Sequence, residues 1–135
     1  MKQKIYRAKS MDKNEWVYGY YCCYGYTGQE KHYIIPEYAS ALYAIEIDFK
    51  TLGESTRLVD VNGKEIFEGD IHHNENNNRN FVIKMGHFFD KEFDEDLYGW
   101  YMEDNKGNRF GLDGSENEYA NIIGNTYDNP KLIGE

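Results

Sequence analysis

The sequence is poor in cysteine and proline, with two residues of each among 135. Cys22 and Cys23 are adjacent, and neighbouring side chains of a strand point to opposite faces, so we expect no disulfide between them. A secreted framework held by disulfides is therefore excluded, and a reducing compartment is expected. The first ten residues have no apolar run like that of a secretory signal, which favours a cytoplasmic protein.

Long apolar runs and basic clusters are also missing. No stretch approaches the roughly 20 apolar residues of a membrane-spanning helix, so we expect no membrane attachment. Acids outnumber bases by 24 to 15, which gives a net charge of −9. Proteins that bind duplexes place Lys and Arg on phosphates, so this charge disfavours nucleic acid as a partner. It is compatible with a cationic protein partner, although solubility alone also accounts for it.

Aromatic residues, by contrast, are abundant, with 13 Tyr, 7 Phe and 2 Trp. Each can bury about 150–250 Å², so the chain has enough material for a core. Charged residues make up only 29%, and global disorder is not expected. The length fits one domain, or two small β lobes that share a core.

The clearest predicted strand covers residues 15–24, where aromatic and β-branched residues alternate with period two. One face carries Trp16, Tyr18, Tyr20, Cys22 and Tyr24, and the other carries Val17, Gly19, Tyr21 and Cys23. We call the aromatic members of this segment (Trp16, Tyr18, Tyr20, Tyr21 and Tyr24) the aromatic ladder. Further strands are predicted at 4–9, 31–36, 42–49, 66–72, 81–85, 98–103 and 109–112.

Turn signals separate these strands. Asn62-Gly63 predicts a hairpin with a type I′ turn, which needs two positive φ values, and residues 104–108 predict a second hairpin. Residues 89–97 suit either a helix or a loop, because Phe89, Phe93 and Leu97 are four residues apart but acids lie between them. Residues 118–123 suit a one-turn helix or a final strand. Short strands with Asn, Asp and Gly turns predict an antiparallel barrel or roll.

Two motifs resemble those of a known family. Residues 60–71, DVNGKEIFEGDI, are similar to a hallmark D-x-N-G-K-x-I-[YF]-E-G-D-[IV], and residues 123–132, IGNTYDNPKL, are similar to an ending I-G-N-x-[YH]-x-N-P-x-L. Residues 4–8 and 47–53 also match the order of that pattern. The chain thus resembles the YopX-like family of phage and prophage proteins over nearly its whole length. It departs at Arg57, where the family usually has glycine in a T-G-L segment.

The resemblance implies an SH3-like β roll or barrel in the C-terminal half, about residues 55–135. An N-terminal β lobe of about residues 1–54 would precede it within a single domain of residues 1–135. The resemblance implies no reaction, and we expect no cofactor. The predicted apolar core of the roll contains Ile66, Phe67, Ile71, Phe81, Val82, Trp100, Ile122 and Ile123.

The family motifs also have a physical interpretation. Asn62-Gly63 forms a hairpin, and Glu68-Gly69-Asp70 forms a compact turn in which Gly takes a positive φ and Asp binds backbone N–H groups. We interpret the motif residues as structural, with ligand binding as the alternative. They are Asp60, Asn62, Gly63, Ile66, Glu68, Gly69, Asp70, Gly124, Asn125, Asn129 and Pro130.

No catalytic or metal site is predicted. His72 and His73 are neighbours on a strand and should face opposite sides, which disfavours a shared zinc ion. The acidic cluster of the second half lacks the Gly and Glu that an EF-hand loop needs at its sixth and twelfth places, so a solvated loop is expected. This acidic cluster consists of Asp90, Glu92, Asp94, Glu95 and Asp96.

The candidate binding residues are Trp16, Tyr18, Tyr20 and Tyr21 of the aromatic ladder. Together with Tyr98, Trp100 and Tyr101 downstream, the ladder could fill a core, line a subunit interface or form a ligand platform. We expect a non-enzymatic phage accessory protein in the host cell cytoplasm, which binds a host or phage protein and forms a homo-oligomer. One alternative is a metal-dependent or hydrolytic enzyme that uses the acidic cluster with His87. The other is single-stranded nucleic-acid binding by the aromatic β face.

Overall fold

The computed structural model describes residues 4–38, 43–91, 93–112 and 120–134. Its paired strands are antiparallel, which confirms the mainly β antiparallel class. None of the helices in these ranges is long and apolar enough to cross a membrane. The elements are β1 (Tyr6–Ser10), β2 (Trp16–Tyr24), β3 (Lys31–Pro36), β4 (Ile45–Val59), β5 (Glu65–Phe67), β6 (Asp70–Asn74), β7 (Arg79–Asp90), β8 (Glu95–Glu103), β9 (Arg109–Gly111), β10 (Ile122–Asn125) and a 3-10 helix (Pro130–Ile133).

The chain divides into two compact units, Met1–Ser55 and Thr56–Glu135. In the N-terminal unit, β1 pairs with β2 and β4, and β3 also pairs with β2 and β4. The pairing therefore runs in a closed order, β1-β2-β3-β4-β1. The unit has a small core of buried aliphatic residues with partly buried aromatics around it. Its members are Ala8, Ile34 and Ile47, packed against Tyr6, Val17, Tyr21 and Leu52.

The C-terminal unit contains a five-stranded sheet in the order β10-β6-β7-β8-β9. Among the described strands no pairing closes this sheet, so the SH3-like roll stays a prediction. So does the expectation that both units form one domain. The core of the unit consists of Ile66, Phe81, Ile83, Met102, Leu112, Ala120 and Ile122, with Leu58 and Trp100 packed against it.

Most of the predicted core residues are buried. Trp100 is partly buried against the cluster, but Ile123 is 40% exposed and its assignment to the core is wrong. The reason is the alternation of β10, which turns Ile122 inward and its neighbour outward. The correctly predicted members are Ile66, Phe67, Ile71, Phe81, Val82 and Ile122.

Several predicted boundaries change. The predicted strand 66–72 is divided into β5 and β6, because the chain turns at Glu68-Gly69. The described residues of the 89–97 segment form the end of β7, a turn and the start of β8. The helical alternative is therefore wrong, because Phe89 lies in β7, Phe93 in the turn and Leu97 in β8. Part of the 118–123 segment lies outside the described residues, and its end belongs to β10.

Candidate functional site

An open groove of about 840 Å³ lies beside β8 and β9 in the C-terminal unit. Its walls come from the end of β7, from residues 97–100 of β8, from the turn between these strands and from β9 with its flanking residues. Pockets of about 300–1,000 Å³ are typical of ligand sites. The aromatic lining residues are Phe88, Phe89, Phe93, Tyr98, Trp100 and Phe110.

Strand lengths position this groove. β8 pairs with β7 along its whole length, from Val82↔Glu103 to Asp90↔Glu95. In contrast, β9 pairs with β8 at only three positions, from Tyr101 to Glu103. The groove borders the stretch of β8 that precedes these pairs, Leu97–Trp100. A long hairpin beside a short third strand therefore leaves a recess along one side of the sheet.

The aromatic residues that line the groove differ in exposure. Phe88 is buried, and its ring centroid lies 5.1 Å from that of Tyr101. On the rim, Phe93 and Tyr98 are 65% and 68% exposed. The Phe93 N–H donates to the Asp90 carboxylate at 3.3 Å, which fixes the turn that carries this ring. Phe89 and Phe110 are also exposed, so four aromatic side chains of one groove face solvent.

The charge around the groove is uneven. Asp94, Glu95 and Asp96 are exposed at the β7–β8 turn. The Arg109 Nε lies 3.3 Å from the Glu103 carboxylate, which offsets the positive charge. Residues 1–55 carry seven acids and seven bases, whereas residues 56–135 carry 17 acids and eight bases. The entire net charge of −9 therefore belongs to the C-terminal unit.

The aromatic ladder is split between the two faces of β2. Val17 and Tyr21 pack against the core of the N-terminal unit, and Trp16, Tyr18 and Tyr20 lie on the opposite face. Tyr18 is 47% exposed. The four candidate binding residues thus do not share one surface.

Two members of the ladder have internal partners. The Tyr21 hydroxyl lies 2.7 Å from His32 Nδ1. Burial raises the pKa of Tyr21, and the nearby Cys23 raises it further, so the phenol is neutral at pH 7. The Trp16 ring is covered by Arg7, whose guanidinium carbon is 4.6 Å from the ring centroid. Tyr21 therefore belongs to the core, and the Trp16 ring makes a cation–π contact with Arg7.

The first family motif is built around a buried carboxylate. Asp60 Oδ1 accepts hydrogen bonds from the N–H groups of Asn62 and Lys64, both at 2.9 Å, and Oδ2 accepts one from the Ile122 N–H at 3.2 Å. Gly63 has a φ of 80°, but Asn62 has no positive φ. The type I′ prediction is therefore wrong. The Gly63 N–H donates to the Asp60 carbonyl, as in a three-residue hairpin loop that ends in a left-handed glycine.

The second turn of the same motif joins β5 to β6. Gly69 has a φ of 91°, and its N–H donates to the Ile83 carbonyl at 2.9 Å. The Asp70 carboxylate accepts the Phe67 N–H at 2.8 Å. Glu68 is half-buried, and Ile66 belongs to the core. The predicted positive φ at Gly69 is confirmed.

The C-terminal motif contacts the first motif. The Thr126 N–H donates to the Gly69 carbonyl at 2.9 Å. Asn125 Oδ1 accepts the N–H groups of Tyr127 and Asp128. Asn129 Oδ1 accepts the Asn125 N–H. The same oxygen lies so close to Gly124 that a Cβ at this position would clash with it. Pro130 begins the 3-10 helix. All these contacts satisfy backbone groups, which favours the structural interpretation of the motifs.

The histidines have separate partners. His72 is buried, and its Nδ1 accepts the Asn121 N–H at 2.8 Å. His73 Nδ1 lies 2.6 Å from Asn80 Oδ1. His87 is exposed, and its ring meets that of Tyr98 edge-on at 4.9 Å. In the described ranges, no group of three or more His, Cys, Asp or Glu residues could hold a metal ion. Glu92 of the acidic cluster lies outside those ranges.

Sequence reasoning named Tyr98 and Trp100 among the candidate aromatics, but it did not predict that they share a groove with Phe88, Phe93 and Phe110. The reason is that the walls come from segments far apart in the sequence, near the end of β7, in β8 and around β9.

A family model described as YopX protein matches residues 5–134. No curated protein sequence matches the chain. The model covers nearly the whole length, in agreement with the two motifs and their spacing. The chain belongs to the YopX protein family.

Proposed function

We propose that this is a phage or prophage accessory protein that binds a partner protein in the groove of the C-terminal unit, in the cytoplasm of the host cell. The observation that carries the proposal is the exposure of Phe89, Phe93, Tyr98 and Phe110 around one recess. Exposed apolar patches and clustered aromatics are typical of binding sites. The proposal includes the SH3-like roll that the resemblance implies, since such domains bind peptides in aromatic grooves.

Binding fits the groove better than the enzymatic alternative does. Asp94, Glu95 and Asp96 are exposed, whereas general acid–base catalysis usually relies on buried carboxylates with shifted pKa values. His87 packs its ring against Tyr98 and is itself exposed. Single-stranded nucleic acid is disfavoured because the unit that holds the groove carries the whole net charge of −9.

Parallel affinity capture from host cells that carry the phage or prophage tests the proposal. The wild type is compared with Phe93→Ser/Tyr98→Ser, which removes two rim aromatics. The matched control is Tyr26→Ser/Tyr38→Ser, since these tyrosines of the N-terminal unit are both 84% exposed and lie outside β2. We expect a partner that the wild type and the control retain and the groove variant loses. A partner that all three proteins retain equally would place the binding site elsewhere.

Self-association is a second proposal, motivated by the outward face of β2. Tyr18 and Tyr24 are 47% and 79% exposed on this strand, and symmetric homo-oligomers are the common way to cover such a surface. Light scattering at micromolar concentration should then report a multiple of the 15.9 kDa chain mass. Tyr18→Glu or Tyr20→Glu should lower that mass. Tyr21→Glu is unsuitable, because Tyr21 packs against the core. A wild-type monomer would refute this proposal.

A further inference from the structure

We infer that the segment captured by the groove is extended and basic, and that it adds as a strand to the outer edge of β8 (Glu95–Gly99) while its apolar side chains enter the groove. This inference rests on the proposed function and names the chemistry of the partner. Its three supports are the strand edge, the aromatic lining and the charge of the unit.

The backbone supplies the first argument. On the side of β8 opposite β7, the hydrogen bond nearest to the start of β8 among the described residues joins the Leu112 N–H to the Trp100 carbonyl at 3.0 Å. Within the ranges that the structure covers, no strand pairs on that side between Glu95 and Gly99. A strand edge presents N–H and C=O groups in the spacing that an added strand satisfies.

The side chains supply the second argument. The same stretch of β8 borders the groove, with Tyr98 exposed and Trp100 half-buried. A peptide that pairs with this edge directs alternate side chains to one face, one every two residues. Aromatic and aliphatic side chains at those positions would meet Tyr98 and Phe110, which are now exposed to water. The recess of about 840 Å³ has room for several of them.

Charge supplies the third argument. Asp94, Glu95 and Asp96 stand at the end of the outer edge of β8, and the C-terminal unit has nine more acids than bases. Complementary charge accelerates association and selects partners. Lys or Arg next to the apolar side chains of the peptide therefore fits this surface. A second copy of the chain would bring a second net charge of −9, and nucleic acid would also be repelled.

The probe is a random dodecapeptide display library, selected against the full-length protein. We expect the selected sequences to combine Lys or Arg with aromatic or β-branched residues. One selected peptide and a twin with every Lys and Arg changed to Gln are then compared by fluorescence anisotropy. At 25 mM NaCl the basic peptide should bind at least about ten-fold more tightly than its twin. At 300 mM NaCl, where charges are screened more strongly, this ratio should shrink.

Two variants and one exchange measurement separate the parts of the inference. Asp94→Asn/Glu95→Gln/Asp96→Asn should weaken binding of the basic peptide about five-fold or more and leave its twin unaffected. The control Asp12→Asn/Glu15→Gln/Glu37→Gln neutralises three exposed acids of the N-terminal unit and should change neither affinity. Bound peptide should also slow amide hydrogen exchange across residues 95–100, as strand addition requires.

The outcomes distinguish this inference from the proposed function. If Phe93→Ser/Tyr98→Ser abolishes binding while basic and neutral peptides bind equally, the groove is a peptide site and the basic partner is wrong. Unchanged exchange across 95–100 would overturn strand addition. If the groove variant binds every peptide as the wild type does, the proposed function fails as well. A single-stranded oligo-dT that binds in the groove, or self-association lost in the groove variant, would replace the peptide with another occupant.

Discussion

Arg57 occupies a backbone conformation that suits glycine. Its φ is 64°, in the left-handed region where a Cβ is crowded by the following carbonyl. The resemblance places glycine at this position, in a T-G-L segment, and the conformation gives the physical reason for it. The Arg57 Nη1 lies 3.8 Å from the Glu65 carboxylate, with both side chains partly exposed. Such an ion pair contributes only about 0–1 kcal/mol.

Arg57→Gly should therefore be more stable than Arg57→Ala by about 1 kcal/mol. Both variants lose the ion pair with Glu65, but only the glycine variant loses the steric cost of a Cβ. Denaturant unfolding of the two variants beside the wild type measures this difference. Equal stabilities would mean that the chain relaxes out of the left-handed region when the arginine is removed.

Gly69, unlike Arg57, is the residue type that a positive φ favours. Its φ is 91°. Gly69→Ala should lower the free energy of unfolding by about 1 kcal/mol or more, because the turn between β5 and β6 cannot accept a Cβ without strain. The shift in thermal unfolding midpoint gives the measurement. An unchanged midpoint would indicate that Gly69 serves contact with a ligand instead.

Two hairpin turns of the C-terminal unit have the same hydrogen-bond pattern. In both, an Asp carboxylate at the first position accepts the N–H groups two and four residues later, and a glycine at the fourth position has a positive φ. The first hairpin spans Asp60–Lys64, and the second spans Asp104–Asn108. The family motif and an ordinary turn thus share one construction, which favours a folding role for Asp60.

The hydrogen bonds to the Asp104 carboxylate should make the stability of the protein depend on pH. Burial by itself would raise the pKa of the Asp104 carboxyl, but hydrogen bonds from Asn108 and Lys106 and the charge of Arg79 outweigh it and lower the pKa. The folded state therefore binds this proton less readily than the unfolded chain. The stabilisation is present above the ordinary value of 3.8 and is lost as pH falls through the folded pKa.

Asp104→Asn should thus lower the free energy of unfolding at pH 7 by about 1–2 kcal/mol and flatten its decline below pH 4. Asp12→Asn, an exposed acid of the N-terminal unit, is the control and should leave both unchanged. Denaturant unfolding between pH 2.5 and pH 7 measures the two effects. A decline as steep as that of the wild type would assign the acid sensitivity to other carboxylates.

Protonation of His72, which lies where β6 pairs with β10, should affect stability in a higher pH range. Burial lowers the pKa of His72, so the unfolded chain binds the proton more readily than the folded one. Stability is then full above the ordinary value of 6.5 and falls below it by at most about 1.4 kcal/mol per pH unit. His72→Gln should reduce this slope between pH 7.5 and pH 5, as measured by unfolding curves. A slope unchanged by the substitution would mean that protonation of His72 is not the cause.

The sequence predicts elements well where the pattern is local. Residues 31–36 form a strand as expected, and the strand predicted at 15–24 forms over 16–24, because alternation reports directly on a pleated backbone. The sequence pattern misleads at Phe89, Phe93 and Leu97. These residues are four apart, as on one face of a helix, but they follow the chain from β7 through a turn into β8. The local pattern also does not predict the groove, since Phe88 and Phe110 come to line it only through the pairing of β7, β8 and β9. Long-range register, rather than propensity, decides both features.

At the scale of the whole molecule, charge is distributed unequally. The N-terminal unit is balanced, whereas the C-terminal unit has 17 acids and eight bases. Its ion pairs include Lys84 with Glu103 at 3.3 Å, and the lysine of that pair is partly exposed, so it offsets little of the repulsion. Self-repulsion of this kind destabilises a compact state and is weakened by salt.

Raising NaCl from 20 to 300 mM should therefore increase the thermal midpoint by about 2–6 °C, as expected for a change of about 1 kcal/mol in a chain of this size. The variant Asp94→Asn/Glu95→Gln/Asp96→Asn should respond less, because it starts with three fewer negative charges at the β7–β8 turn. The control Asp12→Asn/Glu15→Gln/Glu37→Gln should respond like the wild type, since its charges are removed from the balanced unit. A midpoint that falls with salt would mean that attractive pairs such as Lys84–Glu103 outweigh the repulsion. In that case the excess of acid would not be a cost that a basic partner relieves.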